Sequence, residues 1–281
     1  MTRGRRVGIL GVHNSHVDHF ARLLNHGKGF DGWQLTAACG EPSARLDQLM
    51  RDYGLSHPGD EPADLIGHVD AVLVCDRDGA RHRSQAEPLL AAGIDVFVDK
   101  PFATTVADAT ALVDAAQRSG AVLCTGSALR YTDAVQRAAR KARVSPPTSV
   151  VVTGPADPSS EFSGLHFYGV HHAEILLEIL GNPPVDDPAL VSASHNGSHV
   201  VLTDLAGASV TLAFMAPERQ GSFRAMVAYG DTVIGVDPSG PAPYGTLLGR
   251  FLAACESRTS VSRQEAVAPT VIMEAVAGAV G

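Results

Sequence analysis

Short apolar runs rich in β-branched residues alternate with amphipathic stretches through roughly the first 130 residues of the chain. This alternation is typical of βαβ units on a parallel sheet. Apolar periodicity and glycine stop signals set the boundaries of the predicted elements. They predict strands at 7–10, 34–39, 70–75, 94–98 and 121–125, and helices at 15–25, 43–53, 82–92 and 104–119.

The pattern changes after a predicted helix at 131–143. Longer strands with alternating apolar positions follow, at 149–153, 199–203, 209–214, 223–229 and 232–236, with tight turns at 204–207 and 230–231. Such strands favour an antiparallel sheet, and helices are predicted at 169–180, 244–257 and 264–279. We therefore predict an α/β chain in which a doubly wound parallel sheet (1–128) precedes an α+β domain (129–281).

Composition fits two packed domains and narrows the class of partner. The 281 residues are 45% apolar and only 19% charged, which excludes a disordered chain. A net charge of −8 argues against nucleic acid and anionic membranes as partners, and no apolar run approaches the length of a spanning helix. The four cysteines lie far apart, so we expect reduced thiols and a cytoplasmic protein.

The turn after the first predicted strand lies where a dinucleotide-binding fold places its pyrophosphate. Counted from Gly11, the fingerprint Gly-x-Gly-x-x-Gly retains only its first glycine, because His13 and His16 occupy the other two positions. Asn14 and Ser15 remain as hydrogen-bond donors at the start of the helix. An ordinary strand-to-helix turn is the alternative interpretation of this segment.

The strongest local motif is Asp99-Lys100-Pro101, directly after an apolar strand. A lysine at the carboxyl end of a parallel strand faces the crevice where such sheets bind ligands. With the stretches around it, this motif resembles the glucose-fructose oxidoreductase and inositol dehydrogenase family (Gfo/Idh/MocA), whose motif is Glu-Lys-Pro. The other matching stretches are 70–75 with His82, 91–98, 126–131 with Arg130-Tyr131, 169–174, Leu180-Gly181 and Phe251-Leu252.

The resemblance implies a Rossmann-type domain, an open and mostly antiparallel sheet domain, and a nicotinamide cofactor. Lys100 and His171 match the family's catalytic lysine and histidine. Phe167 stands where the family's Asp-x-x-x-His motif has its aspartate, which removes a carboxylate from the expected site. The implied cofactor contacts are Gly11, Val12, His13, Asn14, Ser15, His16, Glu41, Cys75, Asp76, His82, Lys100 and Pro101, and the implied substrate contacts are Arg130, Tyr168 and His172.

From this resemblance we expect an NAD(P)-dependent oxidoreductase acting on a sugar-, polyol- or amino-sugar-like molecule. Glu41 could accept the hydroxyls of the adenosine ribose, which favours NAD, whereas Gly40 and Arg45 leave room for the 2′-phosphate of NADP. A redox-silent binding subunit and a cofactor-retaining lyase or hydrolase are the alternatives. We expect no metal and a homo-oligomer, either a dimer or a tetramer.

Overall fold

A computed structural model describes residues 4–185, 190–193, 199–215, 221–241 and 243–280. The chain folds into two compact units. The first comprises Met1–Ala103, Ala107–Thr125 and Tyr244–Val261, and the second comprises Thr104–Val106, Gly126–Pro243 and Ser262–Gly281. Within the described ranges, no helix has the length and apolar character needed to cross a membrane.

The strands are β1 (Arg5–Leu10), β2 (Trp33–Cys39), β3 (His57–Gly59), β4 (Ala71–Val74), β5 (Asp95–Val98), β6 (Leu123–Thr125), β7 (Ser149–Pro155), β8 (Leu190–Ala193), β9 (His199–Leu205), β10 (Ala208–Met215), β11 (Arg224–Tyr229) and β12 (Thr232–Val236). The helices are α1 (His16–Asn25), α2 (Ser43–Tyr53), α3 (His82–Ala91), α4 (Val106–Ser119), α5 (Asp133–Val144), α6 (His166–Leu180), α7 (Tyr244–Ser257) and α8 (Arg263–Val280).

The first unit is built on a parallel sheet with strand order β3-β2-β1-β4-β5-β6. This is a doubly wound order, which reverses direction between β1 and β4. Every residue of β4 and β5 is buried, as expected for parallel strands covered by helices on both faces. The predicted fold class of the first half is confirmed.

Helix α7 belongs to the first unit, although the division at residue 128 places it in the second domain. Its Tyr244 ring stacks on His19 at 4.4 Å between centroids, and Phe251 lies 5.9 Å from Phe97 on β5. Trp33 Nε1 donates to Glu256 Oε1 at 3.2 Å. Periodicity predicts that a segment is helical, but it carries no information about which sheet the helix packs on.

The second unit contains a sheet with order β12-β11-β7-β10-β9-β8. β7 and β10 pair in parallel, and the other neighbours pair antiparallel. The mostly antiparallel sheet is therefore confirmed. Helix α6 is buried along most of its length, and its apolar residues share a core with Val150, Val152 and Val227 of the sheet.

One shifted helix start and two strands that the sequence did not predict are the differences that matter most. Helix α6 begins at His166 instead of 169, so Phe167 lies in its first turn. Strand β3 has only three residues, one of which is Pro58, and β8 has four, so neither is long enough to produce a periodic signal.

Candidate functional site

The carboxyl edge of the first sheet brings the predicted cofactor residues together. Backbone hydrogen bonds hold the ends of three strands in register: Cys75 N donates to Leu10 O at 2.7 Å, and Asp99 N donates to Val74 O at 2.8 Å. Gly11, Asp76 and Lys100 follow β1, β4 and β5 at this edge. It is the edge at which doubly wound sheets bind ligands.

Two glycines allow the turns at this edge to touch. Gly11 has φ +87°, and a Cβ added there would lie 2.5 Å from the backbone nitrogen of Asp76. A Cβ at Gly79 would lie 2.4 Å from Cγ of Pro101. A side chain at either position would push the turns apart.

The turn from β1 into α1 is organised by Asn14. This residue is buried, and its Oδ1 accepts a hydrogen bond from the backbone nitrogen of His16, the first residue of α1, at 3.1 Å. Val12 is fully buried, whereas His13 and Ser15 are exposed. Among the predicted cofactor contacts in this turn, only His13 and Ser15 have exposed side chains.

Asp99 lies at the centre of this edge. Its carboxylate is 1% exposed, and Oδ2 accepts hydrogen bonds from His16 Nδ1 at 2.5 Å and Asn14 Nδ2 at 3.2 Å. Oδ1 accepts from the backbone nitrogen of Lys100 at 2.8 Å. Burial acts to raise the pKa of Asp99, but the charges and hydrogen bonds of His16 and Lys100 outweigh it and hold that pKa below its usual range.

Lys100 is only 4% exposed. Burial lowers the pKa of its amine, the carboxylate of Asp99 opposes this effect, and the charge of Arg77 adds to it. An amine with a lowered pKa donates a hydrogen bond when protonated and releases its proton more readily than an exposed lysine does.

His82 and Cys75, two of the predicted cofactor contacts, support this edge through buried side chains. His82 Nδ1 lies 2.8 Å from the carbonyl oxygen of Pro101, and Nε2 lies 3.0 Å from that of Asp76, so the imidazole joins two turns. The thiol of Cys75 is enclosed, and burial raises its pKa. A motif match does not reveal that a side chain points inward.

Two charged residues at the end of β2 bear on cofactor choice. Glu41 is exposed, and its Oε2 accepts a hydrogen bond from the backbone nitrogen of Ser43 at 2.8 Å. The guanidinium of Arg45 is paired with Asp18 at 2.6 Å. The hydrogen bond from Ser43 holds the carboxylate of Glu41 near the end of β2, and the charge of Arg45 is balanced by Asp18.

In the second unit, His171 is held by a serine that the sequence analysis missed. Nδ1 of His171 lies 2.7 Å from Oγ of Ser127, a fully buried residue whose Oγ also accepts from the backbone nitrogen of Leu129 at 3.1 Å. Because Ser127 is 44 residues from His171 along the chain, no local pattern links them. The hydroxyl orients the imidazole in the absence of a carboxylate at Phe167.

Aromatic rings surround His171. Phe167 lies one helical turn before it and packs on Tyr168 at 4.7 Å between centroids, and Phe223 lies 5.0 Å from the imidazole. Tyr168 is 42% exposed, with its ring 6.3 Å from His171. Tyr168 is therefore the predicted substrate contact whose side chain faces solvent.

Arg130, a predicted substrate contact, is the centre of a buried ion-pair network and does not present its side chain to solvent. Its guanidinium donates to Glu174 at 2.8 Å, Glu178 at 3.1 Å, Glu265 at 3.2 Å and Asn182 at 2.6 Å. Burial acts to lower the pKa of Arg130, and the surrounding carboxylates raise it above its ordinary value. With donors committed to these four side chains, Arg130 stabilises the packing of α6 and α8 instead.

His172 also has a structural position instead of the predicted substrate contact. It is fully buried, with Nδ1 3.2 Å from the carbonyl oxygen of Gly169 and Nε2 3.1 Å from that of Ala213, so it joins α6 to β10. Burial lowers the pKa of His172 to about 4, although the neighbouring carbonyls act in the opposite direction. The ring is therefore neutral at physiological pH.

A cavity of about 450 Å³ opens at the opposite, amino-terminal edge of the first sheet. The charged groups that line it are already paired: Arg258 binds Asp95 at 2.6 Å, and Arg5 lies over the ring of Trp33 at 4.9 Å. We assign it no chemistry. No group of three or more metal-ligating side chains occurs within the part of the chain that the structure describes.

Residues 5–127 match the family model described as oxidoreductase family, NAD-binding Rossmann fold (Gfo/Idh/MocA). The match covers less than half of the chain. The myo-inositol 2-dehydrogenase of Lactobacillus plantarum has the same fold over 98% of this chain and 97% of its own, with a TM-score of 0.79 and 15% sequence identity.

Two curated relatives align with part of the chain. D-apiose dehydrogenase of Paraburkholderia graminis is 30% identical over 122 residues, which cover 43% of this chain and 32% of the relative. A glycosyl hydrolase family 109 protein of Shewanella amazonensis is 30% identical over 122 residues, 40% of this chain and 26% of the relative. The matched segment thus spans a third or less of each relative.

The carboxyl edge fits a dinucleotide. Gly11 retains the first glycine of the fingerprint, which serves the tight turn, and this turn lies close against Asp76. Among the described residues, Oγ1 of Thr125 at the end of β6 and Oε1 of Gln85 on α3 are buried without a hydrogen-bond partner. Buried polar atoms are normally paired, so these two atoms suit a polar ligand.

We predict that Gly11→Ala destabilises the first unit more than Gly120→Ala does. Both positions have positive φ, but only at Gly11 would the new Cβ meet backbone. Gly120→Ala should cost about 1 kcal/mol of strain, and Gly11→Ala should cost clearly more, as measured by urea unfolding. Equal losses would show that the turn at Gly11 is not tightly packed.

We also predict that stability falls between pH 6.5 and pH 4 because of His172. The unfolded chain binds this proton below about pH 6.5, whereas the folded protein binds it only near pH 4, so acid favours unfolding. The pKa difference corresponds to about 3 kcal/mol. Urea unfolding across this range should show a shallower slope for His172→Gln, and an unchanged slope would contradict a buried, neutral ring.

Proposed function

We propose that the protein is an NAD(P)-dependent oxidoreductase that transfers a hydride between nicotinamide and a sugar-, polyol- or amino-sugar-like molecule. The observation that carries this proposal is the buried amine of Lys100 at the carboxyl end of β5, within the segment that matches the NAD-binding family model. A buried amine at the ligand-binding edge of a doubly wound sheet suits a reacting hydroxyl or carbonyl.

Lys100 and His171 are the proposed catalytic residues. Lys100 donates a hydrogen bond to the reacting oxygen and stabilises its developing negative charge. His171, with Nδ1 held by Ser127, takes the hydroxyl proton in oxidation and returns it in reduction. Nicotinamide, when bound, supplies or accepts the hydride. Exposed Tyr168 is the remaining candidate for a substrate contact in the second unit.

We favour NAD over NADP. Glu41 stands at the end of β2 with an exposed side chain, in the position suited to ribose hydroxyls. Arg45, the residue that would receive a 2′-phosphate, is engaged by Asp18 at 2.6 Å. A preference for NADP would require this ion pair to break.

A cofactor-retaining hydrolase or lyase is the second candidate function. The likeness of part of the chain to a glycosyl hydrolase family 109 protein favours it, and so does Phe167 in place of a carboxylate. A redox-silent binding subunit is the third candidate function. Net consumption of NAD(P)H separates the oxidoreductase from both.

The cytoplasmic location and the homo-oligomer remain predictions. The outer face of the second sheet supports the latter, because Met226 is 55% exposed and Val233 is 65% exposed. Exposed apolar side chains on one sheet face are often covered by another subunit.

The test is turnover of NAD(H) and NADP(H) with a panel of inositols, aldoses and nucleotide sugars, followed by nicotinamide absorbance. Lys100→Ala should lower kcat by about 100-fold or more while the protein stays folded. Lys28→Ala, at an exposed lysine, is the matched control and should leave kcat unchanged. A folded Lys100→Ala protein with normal kcat would remove Lys100 from the mechanism.

A further inference from the structure

Two departures from the expected motifs are in direct contact. His16 stands at the third glycine position of the fingerprint counted from Gly11, and Asp99 replaces the glutamate that precedes Lys100. The positions are 83 residues apart, yet Nδ1 of His16 lies 2.5 Å from Oδ2 of Asp99. The two departures therefore belong to one arrangement.

The sizes of the His16 and Asp99 side chains are matched to each other. A glutamate at position 99 is one methylene longer and would overlap the imidazole at this distance. A glycine at position 16 would leave the buried Asp99 without its principal donor, which is costly for a carboxylate that is 1% exposed. The imidazole and the shorter acid are complementary.

The pair also controls the residue that follows. Asp99 Oδ1 accepts the backbone N–H of Lys100, while Oδ2 is held by His16 and Asn14. Since both oxygens are engaged, the carboxylate cannot rotate without breaking one of these bonds. The position of Asp99 relative to Lys100 is thus fixed from α1.

We propose that His16 is a positioning residue for Lys100 and that it acts through the carboxylate of Asp99. This inference rests on the proposed function only in giving Lys100 a catalytic role. It adds that the broken glycine fingerprint is a functional replacement, because the imidazole that displaced the glycine serves the lysine on a different strand.

The charged groups around the pair set the expected signs. The charge of Asp99 acts to raise the pKa of Lys100, and the charge of Arg77 acts to lower it. The charges of His16 and Lys100 act to lower the pKa of Asp99. His16 has His19 beside it on α1, and its ring lies 4.9 Å from that of Tyr244. The N–H that His16 directs at Asp99 offsets part of the negative charge that Lys100 experiences.

The chain offers a direct readout because it contains only three lysines, Lys28, Lys100 and Lys141. Lysine labelled with ¹³C at Cε gives three signals by NMR, and Lys100→Arg identifies the relevant one. Asp99→Asn should lower the pKa of Lys100, because it removes the carboxylate charge. His16→Ala should raise that pKa, and His16→Gln, which keeps an N–H donor, should resemble the wild type.

The decisive comparison is His16→Ala in the Asp99→Asn background. If His16 acts through Asp99, the double variant has the same Lys100 pKa as Asp99→Asn alone. An equal shift in both backgrounds, or no shift in either, overturns the proposal. If His16→Ala does not fold, His16→Phe, which keeps a ring beside Tyr244 but has no donor, makes the same comparison.

This titration uses the protein without cofactor or substrate, so its result does not depend on turnover. Exposed Lys28 and Lys141 report any general change and should keep their pKa values in every variant. Failure of the oxidoreductase proposal would appear separately, as absence of turnover in the wild-type protein.

Discussion

The buried carboxylate of Asp99 is the interaction on which the carboxyl edge of the first unit depends. A carboxylate that is almost fully enclosed is tolerated only when both oxygens are satisfied, and here the donors come from the turn after β1 and from Lys100 itself. The same contacts hold the start of α1 against the end of β5. The carboxylate of Asp99 therefore links the turn that would receive a dinucleotide to the backbone of Lys100, the lysine that would act beside it.

Helix α6 has the corresponding role in the second unit, because three of its buried polar side chains bind other parts of the protein. His172 joins the helix to β10, and Glu174 joins it to Arg130. His171 is engaged by Ser127 on its Nδ1 side. Fixing the helix in this way holds His171 in one orientation, which proton transfer requires.

Periodicity was sufficient for most of the fold. The buried parallel strand β4 is a continuous apolar run, and the later strands alternate, so both sheets could be predicted from the sequence. The packing partner of α7 could not, because amphipathic spacing shows that a helix has a buried face without showing what covers it.

Site residues could be predicted from the sequence only where the position of a residue along its strand or helix determines its role. Lys100 follows a strand, and this alone directs it to the ligand-binding edge. Ser127 and the function of Asp99 depend on contacts made 44 and 83 residues away. Arg130 and His172 were predicted as substrate contacts because motif position does not reveal burial, which in both cases is nearly complete.

The central claim is that the first unit binds a nicotinamide dinucleotide although two glycines of its fingerprint are replaced by histidines. Isothermal titration calorimetry of the wild-type protein with NAD⁺, NADH, NADP⁺ and NADPH tests it most directly. The account predicts saturable binding of one dinucleotide per chain, with the NAD forms bound more tightly. Absence of binding by all four at millimolar concentration would contradict it.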